Sequence, residues 1–467
     1  TNLQGAALVR ANLRNAVLRN ADLSDAVLEG ANATGADLTG AQLRKTLLSG
    51  ANLSYARASE ARFENTVMSR TAAIRADFSN ATFDTVIFHE TDLRCASLPT
   101  NLARCQFERA ILSCLDRDRG EGVVLDEVPG EPQYATLSNK NLFFASLRGI
   151  CFRDANLSGS NLEMADLSQC DLSGANLTKA QLKRAVFVNA NLSGVDLSGQ
   201  DLELTILKGA NLTRTRLDGA RLVMTNLSET ILDGTILSHA FLWGTNVTGA
   251  SLGGAILERT TFKTVNFSGV DLRALRLAGL SMQRCAFNNA NLRGMNLAGC
   301  DFTHAEFTDA DLSGAKLTNA TATQACFLRT RLEVADLTGL QAKGAFFGNA
   351  MAKGARFTNS QLRHSTWTGA DAGFAHFGKA NLREAVWTSA TAKGAIFASG
   401  QLEWADFSHA DIREADFSNA NLMRANFHAV RDSSAIFVGS NLLGLRKTDV
   451  DRLEAESYRP PAREKRV

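Results

Sequence analysis

The sequence predicts an all-β chain wound into a square coil, each side of the square a very short strand. Three observations carry the prediction. Apolar residues recur every fifth position, as at Leu38, Leu43, Leu48 and Leu53. A small residue, usually Ala, stands two places earlier, as at Ala155, Ala165, Ala175, Ala185 and Ala190. From Phe347 through Phe357, Trp367, Phe377, Trp387, Phe397, Phe407, Phe417 and Phe427 to Phe437, every tenth residue is aromatic.

A period of five fits neither regular element. Five residues advance an α-helix by about 500°, which scatters successive leucines around the cylinder. On a continuous strand, steps of five alternate faces. If the chain turns a corner with each repeat, four repeats close a square and residue n lies below n+20. Stacked sides then form parallel ladders about 4.8 Å apart. The aromatic series falls on two opposite walls, and the other two carry Ala352, Ala372 and Ala392 against Leu362, Leu382 and Leu402. Rings on two walls leave less room, and packing at native density requires the small residues.

Along the chain, residues 1–98 form a first repeat block, with centres from Leu3 to Leu98. Residues 99–136 hold a register slip, three repeats centred on Leu102, Phe107 and Leu112, and an acidic Gly/Pro-rich insertion. Asp116, Asp118, Glu121, Asp126, Glu127 and Glu131 make the insertion a candidate binding loop, since long loops on rigid scaffolds often carry function. Its "GVVLDEV" reads either as loop or as a strand against the coil's side. Residues 137–442 form the second block. In 443–467, "TDVDRLEAESY" carries a Thr448–Asp451 capping signal, with Val450 and Leu453 three apart. This predicts a short helix capping the last coil, followed by a basic tail. Pro99, Pro129, Pro132, Pro460 and Pro461 all avoid the regular repeats, where backbone N–H groups are needed.

The words "GANLS", "GADLT", "NADLS" and "DADLS" resemble those of the pentapeptide-repeat proteins. The resemblance implies a right-handed quadrilateral parallel β-helix with the centre and the preceding small residue inward. At four repeats per coil this gives about 21 coils and a rod on the order of 100 Å long. It specifies the fold and says almost nothing of function, because the repeat is scaffold.

Composition excludes several classes. No stretch approaches 18 consecutive apolar residues, so no membrane span is expected. The eight cysteines form no C-x-x-C, and Cys105, Cys170, Cys285 and Cys300 fall at the small inward position; the seven histidines are scattered. Neither a metal site nor a cofactor is expected, and unpaired cysteines suit a reducing, cytoplasmic compartment. With no nucleophile–base pair and no Gly-rich phosphate loop, an enzyme is not expected. Formal charge is +2, with both signs interspersed, and no basic stripe argues for nucleic acid. A family branch that mimics DNA and binds type II topoisomerases needs a strongly negative surface, which this charge does not supply. The chain opens in mid-repeat at Thr1, which leads us to expect an upstream domain.

A candidate interaction surface lies on the outside. On three walls of the second block the second residue after the centre is often Gly or Asn, as at Gly159, Gly174 and Asn189, fitting a turn position of positive φ. The fourth wall reads Phe144, Met164, Arg184, Leu204, Met224, with Phe143, Phe241, Trp243 and Trp404 on the same wall. Either this wall uses a different turn that releases the glycine, or its apolar row marks contact with a partner or with the folded-back insertion. The expected function is a non-catalytic rigid scaffold for a protein partner. The C-terminal block and tail are similar to long pentapeptide domains of bacterial type VI secretion accessory proteins, which implies an adaptor or chaperone role. A secreted effector and a topoisomerase-binding DNA mimic are the alternatives.

Overall fold

The computed structural model describes residues 1–112 and 137–457, which fall into two compact units, Thr1–Thr260 and Thr261–Val467. Both are right-handed square β-coils. Each centre donates its N–H to a carbonyl one coil later, as Leu3 does to Asp22 (2.7 Å) and Leu23 to Gln42 (2.8 Å). The residue before the centre reaches back, as Asp22 N–H does to the Thr1 carbonyl (3.0 Å). Most sides are therefore single parallel bridges such as Asn2↔Asp22↔Gln42. Longer pairs occur at β1 (Arg62–Glu64) with β2 (Thr82–Asp84), β3 (Arg221–Val223) with β4 (Phe241–Trp243), and β5 (Thr261–Lys263) with β6 (Met282–Gln283). The four in the first unit share the wall that carries the apolar row.

Register survives two irregularities. Ile87 bridges Gln106 and Asp92 bridges Ile111, a step of 19 where the neighbouring step is 20. Asn101 then bridges Asn141, and Gln106 bridges Ser146, a step of 40. The ladder thus closes across the interval between Ile111 and Leu137 as though one whole coil were left out.

Side-chain chemistry explains the repeat's words. Asp or Asn before the centre accepts the N–H of the residue after it, as Asp171 Oδ1 does from Ser173 (3.1 Å), and the Ser173 hydroxyl adds a second bond at 2.7 Å. This is an Asx turn, so it favours Asp/Asn and Ser/Thr on either side of the centre. Where the small inward residue is Thr, its hydroxyl usually donates to a centre carbonyl 23 residues back, as Thr71 does to Leu48 (2.7 Å). Cys170 and Cys300 aim their thiols the same way, at Leu147 (2.9 Å) and Leu277 (3.0 Å). Burial pushes their thiols up to about 12 and about 11. They stay protonated near neutral pH, which suits neither nucleophile nor metal ligand.

The aromatic series of the second unit stacks in two columns. Phe327, Phe347, Trp367 and Trp387 succeed one another at 4.7, 4.1 and 4.7 Å, nearly parallel. Phe357, Phe377, Phe397 and Phe417 form the facing column at 4.9, 5.1 and 4.7 Å. The columns meet edge to face, Trp367 on Phe377 at 5.3 Å and 89°, the geometry ring quadrupoles prefer. Ala352, Ala372, Leu362 and Leu382 are fully buried between them.

The helix forms as α1 (Val450–Ser457). Its N-terminal cap is Asp449 rather than Thr448: Asp449 Oδ1 accepts the Arg452 N–H at 3.0 Å. The Thr448 hydroxyl is engaged instead by the Ala429 N–H (3.2 Å). The helix is anchored to residues of the two preceding coils on one wall. Ile436, Val438, Leu442 and Leu443 of the last coil remain exposed.

Candidate functional site

The apolar row is built by the ladder itself. Phe144 donates its backbone N–H to Glu163, Met164 to Lys183, Arg184 to Glu203, Leu204 to Val223 and Met224 to Trp243, at 2.7–3.1 Å. Each row residue therefore lies one coil above the last, at a corner. Phe144 and Met224 are more than half exposed, at 58% and 57%, and Met164, Leu204, Phe241 and Trp243 are also exposed. The extended geometry of β3 and β4 does distinguish this wall. It does not release the corner, because φ is 57° at Phe144, 59° at Met164 and Leu204, and 53° at Met224. These residues hold the left-handed conformation glycine adopts most readily, where a Cβ costs about 1 kcal/mol. Met224 also lies across Gly244, where a Cβ would come within 2.5 Å of its sulfur.

Between the ends of the row stands an ion network. Lys183 reaches Asp201 (3.0 Å) and Glu203 (3.5 Å), and Arg221 reaches Glu203 (2.6 Å) and Asp201 (3.2 Å). The Arg221 bond holds the Glu203 carboxyl below its usual range. For Asp201, burial pushes upward but bonds from Lys183, the Glu203 N–H and Arg221 outweigh it, so its carboxyl too is lowered. These charges satisfy one another. Arg184 has no ion pair among the described residues.

Phe143, Phe144 and Met164, with Thr85, Arg104, Gln106 and Ser146, line an open groove of ≈ 580 Å³ with mostly apolar walls. A second hollow, lined by Arg70, Glu90, Asp92 and Arg109, is polar. Its charges are paired, Arg70 with Glu90 at 3.1 Å and Arg109 with Glu90 at 3.8 Å.

Trp404 belongs to the second unit and is 45% exposed, with the Arg424 guanidinium 4.6 Å from its ring centre. Beside it Glu403 is buried and bonded to Arg383 at 2.6 Å. The candidate loop residues Asp116, Asp118, Glu121, Asp126, Glu127 and Glu131 lie outside the described residues. The sequence reading overlooked Val334 and Phe374, exposed corner residues of the second unit at φ 57° and 58°. The same apolar-for-glycine substitution, searched on every wall, would have found them.

One cluster has the composition of a metal site. His409 Nε2 lies 3.0 Å and His428 Nε2 3.2 Å from Glu456 Oε2, and the three ligand atoms are within 4.8 Å of one another. Hydrogen bonding argues for a clamp instead. The buried His428 accepts the Asp449 N–H at Nδ1 (3.2 Å), so its Nε2 carries the proton donated to Glu456. A metal on Nε2 would need the opposite tautomer and set two N–H groups against each other. The cluster fastens α1, with Arg452 on the other Glu456 oxygen at 2.7 Å. Arg452 and His428 hold the Glu456 carboxyl below its ordinary value of 4.5. A depressed carboxylate contributes stability above that value and loses it as pH falls through the folded pKa. Amide exchange across 450–457 is therefore expected to lose protection, relative to the coil, as pH falls below about 4.5. The single variant Glu456→Gln should show weakened protection already at pH 6.

Comparison with known proteins bears on the repeat as a whole. The family described as "Pentapeptide repeats (8 copies)" matches residues 1–84, 135–189, 201–277 and 401–431 through overlapping segments. "Pentapeptide repeat region" matches 280–357. No curated protein matches. Among solved structures, the chain is similar to HetL, a pentapeptide repeat protein involved in heterocyst differentiation regulation from the cyanobacterium Nostoc. Identity is 22%, covering 64% of this chain and 90% of HetL, with a TM-score of 0.22. It is also similar to QnrB1, a plasmid-mediated fluoroquinolone resistance protein, at 18% identity over 55% of this chain and 98% of QnrB1, with a TM-score of 0.21.

Proposed function

Because the chain belongs to the pentapeptide-repeat family, we propose that it is a non-catalytic scaffold holding a protein partner along the wall that carries Phe144, Met164, Leu204 and Met224. One observation supports this above others: large apolar side chains stand exposed at corners whose backbone favours glycine. Folding alone gains nothing from them there, whereas apolar rows on a surface mark contact with another molecule. The flat, self-paired charges around the row would give a partner a polar rim.

The finer role is that of a bacterial cytoplasmic adaptor or chaperone in type VI secretion, supported by the resemblance of the C-terminal block and tail. The partner would be a secreted protein or a component of the secretion machinery.

The test is the double variant Met164→Glu with Met224→Glu. Both positions are exposed, and glutamate holds the equivalent positive-φ turn position on other walls at Glu60, Glu90 and Glu229, so the coil should fold normally. Affinity for a partner captured by the wild-type chain should fall at least about 100-fold, as for two lost anchors. Unchanged binding by this folded variant would sink the proposal.

A further inference from the structure

We propose that the groove beside Phe143, Phe144 and Met164 is an anchor subsite for a peptide segment of a protein partner. The segment presents one large apolar side chain with a carboxylate within two residues of it. This rests on the reading of the wall as a partner surface and names the chemistry of what docks there.

Geometry supplies the apolar half. The register slip and the 40-residue step place Arg104 in the coil directly below Phe143, whose carbonyl accepts the Arg104 N–H at 3.0 Å. The Phe143 and Phe144 rings stand 6.5 Å apart and inclined by 38°. They are tilted rather than packed face to face, and Met164 continues the apolar surface one coil above. The groove of ≈ 580 Å³ has room for one large side chain and the backbone around it. Thioether and ring walls accept aromatic or branched aliphatic groups alike.

Charge supplies the other half. Arg104 lines the groove at a corner of φ 61°. Among the described residues its guanidinium has neither ion pair nor side-chain hydrogen bond. Of the acidic residues on the same wall, Asp84 and Glu163 make no ion pair with it; an Asp84 oxygen accepts the Thr85 hydroxyl. Farther along the same wall, Lys183 and Arg221 are neutralised by Asp201 and Glu203. Among the described residues, the groove thus combines apolar walls with one uncompensated guanidinium, whose planar fork matches a carboxylate.

The experiment is fluorescence polarisation on the full chain, with labelled octapeptides Gly-Ser-Leu-Phe-Gly-Asp-Ser-Gly and the versions carrying Asn or Lys in place of Asp. The Asp peptide is expected to bind about tenfold tighter than the Lys peptide, the size of one rim charge contact. Arg104→Glu should reverse the order, and Phe144→Ser should weaken all three peptides at least about tenfold. Thermal unfolding checks each variant, and Glu60 and Glu90 already occupy corners of this kind. Absence of binding, or an Asp preference that survives Arg104→Glu, overturns the proposal. Binding that emerges only after deletion of residues 116–132 assigns the groove to the chain's own segment, and concentration-dependent self-association lost with Phe144→Ser assigns it to a second copy; both also overturn it. If the peptides fail while Leu204→Glu with Met224→Glu still abolishes partner binding, the wall stands as a partner surface and only the groove assignment falls.

Discussion

Replacing Trp367 by Ala is expected to destabilise the second unit by about 4 kcal/mol, the range for large aromatic truncations in a packed core. Trp367 is fully buried, stacked 4.1 Å from Phe347 and 4.7 Å from Trp387, and edge-on to Phe357 and Phe377 at 5.2 and 5.3 Å. Its removal opens a cavity that the rigid ladders on either side cannot collapse around. The neighbouring wall offers a check on the packing account. Ala372 is fully buried among these rings, so Ala372→Leu alone should cost about 1–3 kcal/mol through overpacking. Combined, the added leucine enters the space the indole vacates. The double variant should therefore cost less than the sum of the singles by at least about 1 kcal/mol. Coils contact only their neighbours, so unfolding need not be two-state. Amide exchange of residues 347–407 is the appropriate local readout, and strict additivity would show that the two positions do not share one packed volume.

Ala385→Ser is expected to act in the opposite direction, stabilising the unit by about 1–2 kcal/mol. The two stacked tryptophans differ in one respect. Trp367 Nε1 donates to Ser365 Oγ at 2.9 Å, whereas Trp387 Nε1 is buried with no partner among the described residues. Ser365 stands two residues before Trp367, and the matching residue before Trp387 is Ala385. The indoles are parallel at 0°, so a hydroxyl at 385 should meet the second N–H as Ser365 meets the first. A buried unsatisfied donor costs about 1–3 kcal/mol. Serine already fits this inward position at Ser160 and Ser360, both fully buried. Ser365→Ala should cost a similar amount by leaving the Trp367 N–H without its acceptor. The two substitutions must move stability in opposite directions; shifts of the same sign would show that the indole N–H is not what matters.

The coil was legible because its rule is written in residue identity. Leu38, Leu43, Leu48 and Leu53 are buried at the predicted spacing, the alanines two places earlier are inward, and the rings from Phe347 to Phe437 do occupy two facing walls. Each repeat is a local unit whose inward side chains must be apolar and whose corner needs a small set of residues, so five letters carry most of the information. The apolar row was legible for the same reason, as a departure from the corner's usual Gly or Asn.

What that row means for the backbone was not legible. Phe144 and Met224 could have signalled a different turn, and only the φ values of the structure show that the corner conformation is retained. Likewise His409 and His428 read as scattered histidines. They meet because a step of 19 brings a corner residue beside the residue that follows the next centre on the same wall. Glu456 joins them from a helix whose docking direction no repeat encodes. The groove arises where a 19-residue coil meets a 40-residue step, joining Arg104 to Phe143 and Phe144. The sequence by itself determined the square coil and which residues fill it, because those depend on contacts repeated at fixed spacing. The tertiary structure alone decided the ion network, the clamp on α1 and the groove, because each joins side chains through a break in that spacing or across coils, where no local rule selects the partner.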